Sequence, residues 1–483
     1  MRKSFIIFII FLSINICAND NFNINGINEI SYVRKIAKDS LSNFFYDKFG
    51  FNLEYNNFVI GMKFIAKLPK YDSYKNTENL NNEDISYEWT DRYLSYNSKN
   101  IYLLGGKFED SFGTGSILRA YQDEDFNIDT RLEGSLLKIK YKNWDLKTIY
   151  GIFLDENRND KKNITYGIDI EKKISKKITI GTSLVSLRYI HSTGNNYSKY
   201  DIYGSRINFN TKDWELYAEI SKLREQASKK EFENIDAKDG YAIYSNLNYY
   251  LGKFTFSTTY KKYNDFDYSL NDLPTVNHSN EPLSENYKTG NNEEGIMGEL
   301  RYIPDFSNEF ILNYSESWNN NFSVRLSDFY SQFRHDFDNF SLTTEYSRLE
   351  RKENAINEWE LQNTPSLSFD ITGKVPLYIK TECEIHKKIH FKEEKKYYEP
   401  LLQTDFKIKN IGISLITETI YNEGDDFSKS QICIGGEISA DIFQNTNIKL
   451  FAGKEKGGKV CRNGVCRYQS RFNGFRLEIT TNF

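Results

Sequence analysis

The chain has 483 residues, with 63 Lys+Arg against 67 Asp+Glu and a formal net charge of -4. That balance excludes a polynucleotide partner, which needs a basic patch. A hydrophobic share of 39% excludes a bundle of apolar spanning helices. The 35 Tyr and 35 Phe against only 7 Pro suit a strand-rich chain, because Pro lacks the N–H that a β-ladder needs.

Residues 1–18, MRKSFIIFIIFLSINICA, read as a secretory signal: Arg2 and Lys3, then the apolar run Phe5 to Leu12, then Ala18 before the cut. Cys17 raises a lipid-attachment reading, but Ile16 stands where that signal wants a small residue. The expectation is export, followed by a single domain over 19–483. Within it, 19–43 is a lead-in with a weaker first strand at Ile27 to Arg34. The stretch Asn21 to Gly26 mimics the start of a calcium loop, but Tyr32 stands where a bidentate Glu is required.

From there the chain falls into alternating segments of about eight to thirteen residues, the reach of tilted membrane strands. Phe58, Ile60, Met62, Phe64, Ala66 and Leu68 share one face. Phe254, Phe256, Thr258 and Tyr260 share another. Leu377, Ile379, Thr381, Cys383 and Ile385 oppose Tyr378, Lys380, Glu382, Glu384 and His386. Alternation alone also fits a soluble sandwich, so the connections decide.

Tight connections are expected at Asn56-Asn57, Lys142-Asn143, Ser175-Lys176, Lys212-Asp213, Gly252-Lys253, Asp338-Asn339, Gly373 to Pro376 and Lys409-Asn410. Between them lie longer polar ones, among them Pro69 to Asp84, Asn264 to Glu294, Phe391 to Pro400 and Glu455 to Ser470. Short periplasmic turns alternating with longer external loops mark an outer-membrane barrel. The fold expected is all-β: a transmembrane antiparallel up-and-down barrel of about 24 strands, within a range of about 20–24. Asn319 to Asn321 is short where a loop is due, and Pro304 to Asn308 is long for a turn.

Gly105 to Gly134, GGKFEDSFGTGSILRAYQDEDFNIDTRLEG, breaks the pattern. Phe112-Gly113-Thr114-Gly115 interrupts the strand, and YQDEDFNID is too polar to cross lipid. The segment either folds inward as a constriction or lies outside as a loop. The constriction candidates are Phe108, Phe112, Gly113, Gly115, Arg119, Tyr121, Asp123 and Asp129. A phosphate cradle is a poor reading, since no Lys-Ser/Thr follows the glycines.

Cys461 and Cys466 bracket Arg462, Asn463, Gly464 and Val465. Asn-Gly favours a type I′ hairpin turn, which puts the two Cys in a non-hydrogen-bonded pair about 4.5 Å apart at Cα, a span a disulfide crosses. Zinc would need two further ligands, and none lie nearby. Cys383 and Cys433 read as free thiols. The chain ends in GFRLEITTNF: Phe475, Leu477, Ile479, Thr481 and Phe483 on one face, Arg476, Glu478, Thr480 and Asn482 on the other. This is a closing barrel strand, with Leu477, Ile479 and Phe483 as the assembly signal read by barrel-assembly machinery. Lys380, Glu382, Glu384, Arg476 and Glu478 are expected to face the lumen.

Three blocks, NFFYDKFGFNLEYNNFVIGMKF, the Gly105 to Gly134 segment and the ending GGKVCRNGVCRYQSRFNGFRLEITTNF, together resemble a bacterial family of predicted outer-membrane β-barrels of unknown function. Gly457 to Tyr468 is the most specific part. The resemblance implies the outer membrane of a Gram-negative cell and brings no catalytic residue. None of the 5 His sits beside a nucleophile elbow, so no enzyme is expected. His386 and His390 could share one face as metal ligands, but Lys387 and Lys388 repel a cation. No metal or cofactor is expected, and the partners are outer-membrane lipid and an unnamed small solute. The function expected is a porin-like channel or substrate-specific pore. The alternative is a closed surface barrel whose external loops bind a partner or polysaccharide.

Overall fold

The computed structural model describes residues 22–37, 40–68, 86–123, 128–154, 162–190, 197–227, 239–284, 290, 292–391, 393–426, 430–462, 465–469 and 471–483. The expected signal at 1–18 lies outside them, as does His191. All major elements are strands, and a 24-stranded antiparallel sheet closes on itself. The first strand, Phe22–Ala37, pairs with Ser40–Tyr55 along its whole length. It pairs with the last strand, Phe472–Asn482, from Ile27 opposite Asn482 to Lys35 opposite Gly474. The lead-in is therefore a full member of the wall. Closure leaves no sheet edge, the condition for a strand structure in hydrocarbon.

Burial alternates along the wall. On Tyr197–Asn210, Ile202, Gly204 and Arg206 are buried while Tyr203, Ser205 and Ile207 are exposed. The exposed rows are apolar (Leu184, Tyr203, Ile220, Leu312, Leu402, Leu415 and Ile434 among them), which is the lipid face of a barrel. At the end with the short turns these rows finish in aromatic rings. Tyr249 meets Phe256 at 6.5 Å, Phe254 stacks on Tyr302 at 4.4 Å, and Phe310 meets Phe333 at 4.7 Å. Aromatic girdles form there because such rings are apolar in body and polar at the edge.

The expected turns at Asn56-Asn57, Lys142-Asn143, Gly252-Lys253 and Lys409-Asn410 all join neighbouring strands. Phe306 and Ser307 alone separate Glu293–Asp305 from Asn308–Asn319, tighter than the sequence implies. The loop expected from Phe391 to Pro400 is absent: Glu393–Ile408 runs through Pro400 as a strand. Pro400 keeps its place opposite Cys383, while on the other side the ladder passes from Tyr398 to Leu401 without it. A missing N–H costs one ladder bond on one side only.

Candidate functional site: a plug of two inward loops

The segment after Ile101–Phe108 turns into the barrel. Its short strands, Asp110–Phe112 with Leu118–Ala120 and Gln122–Asp123 with Ile128–Asp129, pair among themselves and not with the wall. Phe112, Ile117 and Leu118 are fully buried. They pack in one cluster with wall residues Leu136, Ile149, Val185, Ile202 and Leu223. Two wall glycines make room. A Cβ on Gly204 would collide with the end of Ile117, and one on Gly167 would come within 2.9 Å of the Phe112 ring. Gly113 and Gly115 hold φ of 61° and 97°, the left-handed region that glycine occupies without strain.

A second loop joins the first, and the sequence gives it away only in part. Between Phe254–Asn264 and Glu293–Asp305, the residues Phe266, Tyr268, Leu270 and Leu273 belong to the same buried cluster. The Tyr268 phenol donates to the carbonyls of Ser116, at 3.2 Å, and of Ile117. Complete burial, with the Glu219 carboxylate behind it, pushes that phenol well above its ordinary pKa. Backbone bonds run from Arg119 N to Leu270 O at 2.7 Å and from Asp272 N to Gly115 O at 3.1 Å. Arg119 pairs with Asp272 and lies over the Tyr121 ring, 4.3 Å from its centre. The same loop reaches further round the wall, where Leu283 packs on Val324 and Leu326, and His278 stacks on Tyr330 at 3.6 Å.

Charged wall residues fasten the plug. Glu219, 4% exposed, accepts from Thr114 N at 3.0 Å, from Tyr217 Oη at 2.5 Å and from Ser116 Oγ. Directly across the ladder from Glu219, Arg206 grips Asp169 with both Nη atoms, at 2.8 and 2.9 Å. Asp110 takes Lys138 at 2.6 Å and Lys147 at 3.1 Å. Asp129 takes Lys107 at 2.7 Å and Arg131 at 2.8 Å, and Arg131 also reaches Asp91 at 2.5 Å. Burial works against the Asp129 charge, but hydrogen bonds from Arg131 and Lys107 outweigh it and hold the carboxyl down at about 2. Asp123 sits in the inner hairpin opposite Ile128, and Phe108 is 4% exposed at its root. The constriction candidates thus lie within or beside one inward body.

The other expected positions fall elsewhere on the wall. Lys380 pairs with Glu382 at 2.8 Å, and Glu384 accepts from His386 at 2.9 Å, all on the face opposite the exposed rows. Arg476, 2% exposed, lies between Phe451 and Phe472 and reaches Glu478 at 3.2 Å and Glu455 at 3.5 Å. Leu477, Ile479 and Phe483 close the seam, with Phe483 stacked 5.8 Å from Phe49. Cys461 stands opposite Cys466 in a two-stranded hairpin outside the barrel sheet. Their side chains lie outside the described residues. Glu384, His386 and Glu399 bring ligand atoms within 4.8 Å of one another, but Lys456 already sits on Glu399 and supplies the positive charge a metal would bring.

A family model described as a family of unknown function (DUF6029) matches residues 34–289. The chain belongs to this family. No curated protein matches this DUF6029 chain. Among solved structures it is similar to the translocation pore of the P pilus usher PapC, at 10% identity and a TM-score of 0.50, over 95% of this chain and 99% of that one. It is also similar to a chain of an E. coli P pilus tip assembly intermediate, at 10% identity and a TM-score of 0.58, over 96% of this chain and 60% of that one. At such identity the likeness speaks to fold, and the fold is that of an outer-membrane β-barrel.

Proposed function

We propose that this chain is an outer-membrane channel for small solutes whose passage is narrowed from within by the two inward loops. The observation that carries the reading is the joint burial of Phe112, Ile117, Tyr268 and Leu270 inside a closed 24-stranded wall. A barrel of that strand number is wide enough for an aqueous path unless its own segments fill it. The plug contacts described above fall on wall strands between Phe58 and Glu353. In this reading the solute path runs along the wall from Glu358 to Asn482, where Lys380, Glu382 and Asp405 face inward and keep part of their surface exposed. Its charges are of both signs and largely paired, which favours small solutes without strong ionic preference.

Planar-bilayer recording of the full chain tests the reading. Discrete current steps support a pore. A bilayer that stays sealed at high protein load would favour the closed surface barrel, whose external loops bind a partner or polysaccharide.

A further inference from the structure

On the outer face, the wall from Lys162–Lys173 to Asp239–Leu251 carries a furrow of about 710 Å³. Thr182 and Ser205 face each other across the ladder and form its low floor. Ile170 stands beside Thr182 and Ile220 beside Ser205, and these larger side chains are the banks. The Thr182 hydroxyl donates to the Gly204 carbonyl at 3.0 Å, so it makes no demand on water. From Ile170 to Tyr241 the furrow crosses four strand spacings, about 19 Å, room for several acyl chains side by side.

Just above the furrow the chemistry changes. Tyr203 and Tyr241 flank Lys222 along the ladder and are 50% and 37% exposed. Tyr rings on the lipid face gather where headgroups begin. One step higher Arg224 stands between Asp201 and Asp239, and beyond it Arg188 faces Lys199. The longer connections 191–196 and 228–238 follow, which makes this the external end.

Both carboxylates are engaged by other groups. Asp201 accepts from Ser186 at 2.7 Å and pairs with Lys199 at 2.9 Å. Asp239 pairs with Lys222 at 3.4 Å, an exposed contact too weak to hold that ammonium in place. The Arg224 guanidinium is exposed and has no carboxylate partner among the described residues. Other outward cations at this end are matched: Lys262 by Glu294 at 3.1 Å, Lys387 by Glu394 at 3.0 Å and Lys396 by Glu423 at 2.7 Å.

We propose that this face binds a phosphorylated, multi-acyl glycolipid of the lipid A kind from the outer leaflet. Its acyl chains lie in the furrow over Thr182 and Ser205, and Arg224 with Lys222 takes a phosphate. A guanidinium matches phosphate oxygens two at a time, and the furrow removes the chains' apolar surface from looser contact. The site is on the outside of the wall, so it stands apart from whether the lumen conducts.

The test is native mass spectrometry of the full chain in a neutral detergent, titrated with bisphosphorylated lipid A, its dephosphorylated form or phosphatidylglycerol. The proteins are the natural chain, Arg224→Ala, Ser205→Leu, which fills the furrow, and Lys262→Ala as a matched rim cation. Heat-modifiable gel migration verifies that each is a folded barrel. The expected result is one bisphosphorylated lipid A per natural chain, held at least tenfold more tightly than either other lipid. Arg224→Ala and Ser205→Leu should each weaken it at least tenfold, and Lys262→Ala should leave it unchanged. Phosphatidylglycerol held as tightly as lipid A overturns the proposal, as does natural affinity in Arg224→Ala or in Ser205→Leu.

Discussion

Glu219, in the middle of a wall strand, accepts the backbone N–H of Thr114 at 3.0 Å across 105 positions of sequence. A carboxylate buried to 4% exposure is tolerated there because Ser116 and Tyr217 also donate to it. Hydrogen bonds to a charged group contribute about 1.5–3 kcal/mol each when their loss leaves a buried partner unmet. Glu219→Ala is therefore expected to loosen the first inward loop by about that amount or more. The readout is protease cleavage within 109–131, which should accelerate several-fold with the barrel intact. Cleavage at the natural rate would remove Glu219 from the latch.

Gly204 and Ile117 touch so closely that no side chain fits between them. Gly204→Val should push Ile117 off the wall and lower the thermal midpoint, while the double variant Gly204→Val, Ile117→Ala should recover part of the loss. That non-additivity is the signature of direct packing. Strictly additive effects would place the two residues apart.

Asp129 gives the plug a defined acid limit. Its folded pKa, about 2, lies below the ordinary 3.8. The stabilisation is thus fully present above the ordinary value and is lost as pH falls from there through about 2. Loop cleavage or current noise should therefore stay constant from pH 7 down to about 4 and rise only below, and Asp129→Asn should remove that low-pH step. A step near pH 5 assigned to Asp129 would contradict the geometry.

Leu415 is 53% exposed on the outer face, four residues beyond the Ile411 end of its strand. An Arg on the lipid face near the bilayer midplane costs about 2–4 kcal/mol. Leu415→Arg should lower folding stability in lipid by an amount of that order, whereas Asp405→Asn, on the lumen side, should not. Equal tolerance of both would mean the exposed rows meet water.

The facing of Cys461 and Cys466 in the hairpin register leads us to expect a disulfide in the exported protein. Alkylation in denaturant without reductant should label Cys383 and Cys433 alone. Labelling of all four would show the hairpin thiols reduced.

Much of the wall was legible because a period of two is a local signal: each lipid-facing residue needs only its own strand to declare itself. The turns were legible for the same reason. Pro400 misled, since a rule about interior strands fails where only one side of the ladder loses a bond. The plug was half legible. Phe112-Gly113-Thr114-Gly115 announced a break, but Glu219 looked like any polar inward residue of a strand, and its role depends on a loop a hundred positions away. By its Asn, Asp, Ser and Glu content the stretch from Asn264 reads as a polar connection. Phe266, Tyr268, Leu270, Leu273, Val276 and Leu283, now buried, were the missed signal, for an external loop has no use for so many apolar side chains.

If the inward loop at 109–131 narrows the passage, removing it should widen the conducting path. Single-channel conductance of the natural chain, compared with a variant in which residues 111–130 are replaced by a short Gly-Ser linker, tests it most directly. A larger and steadier conductance is expected in the variant. An identical conductance in the two proteins would contradict it.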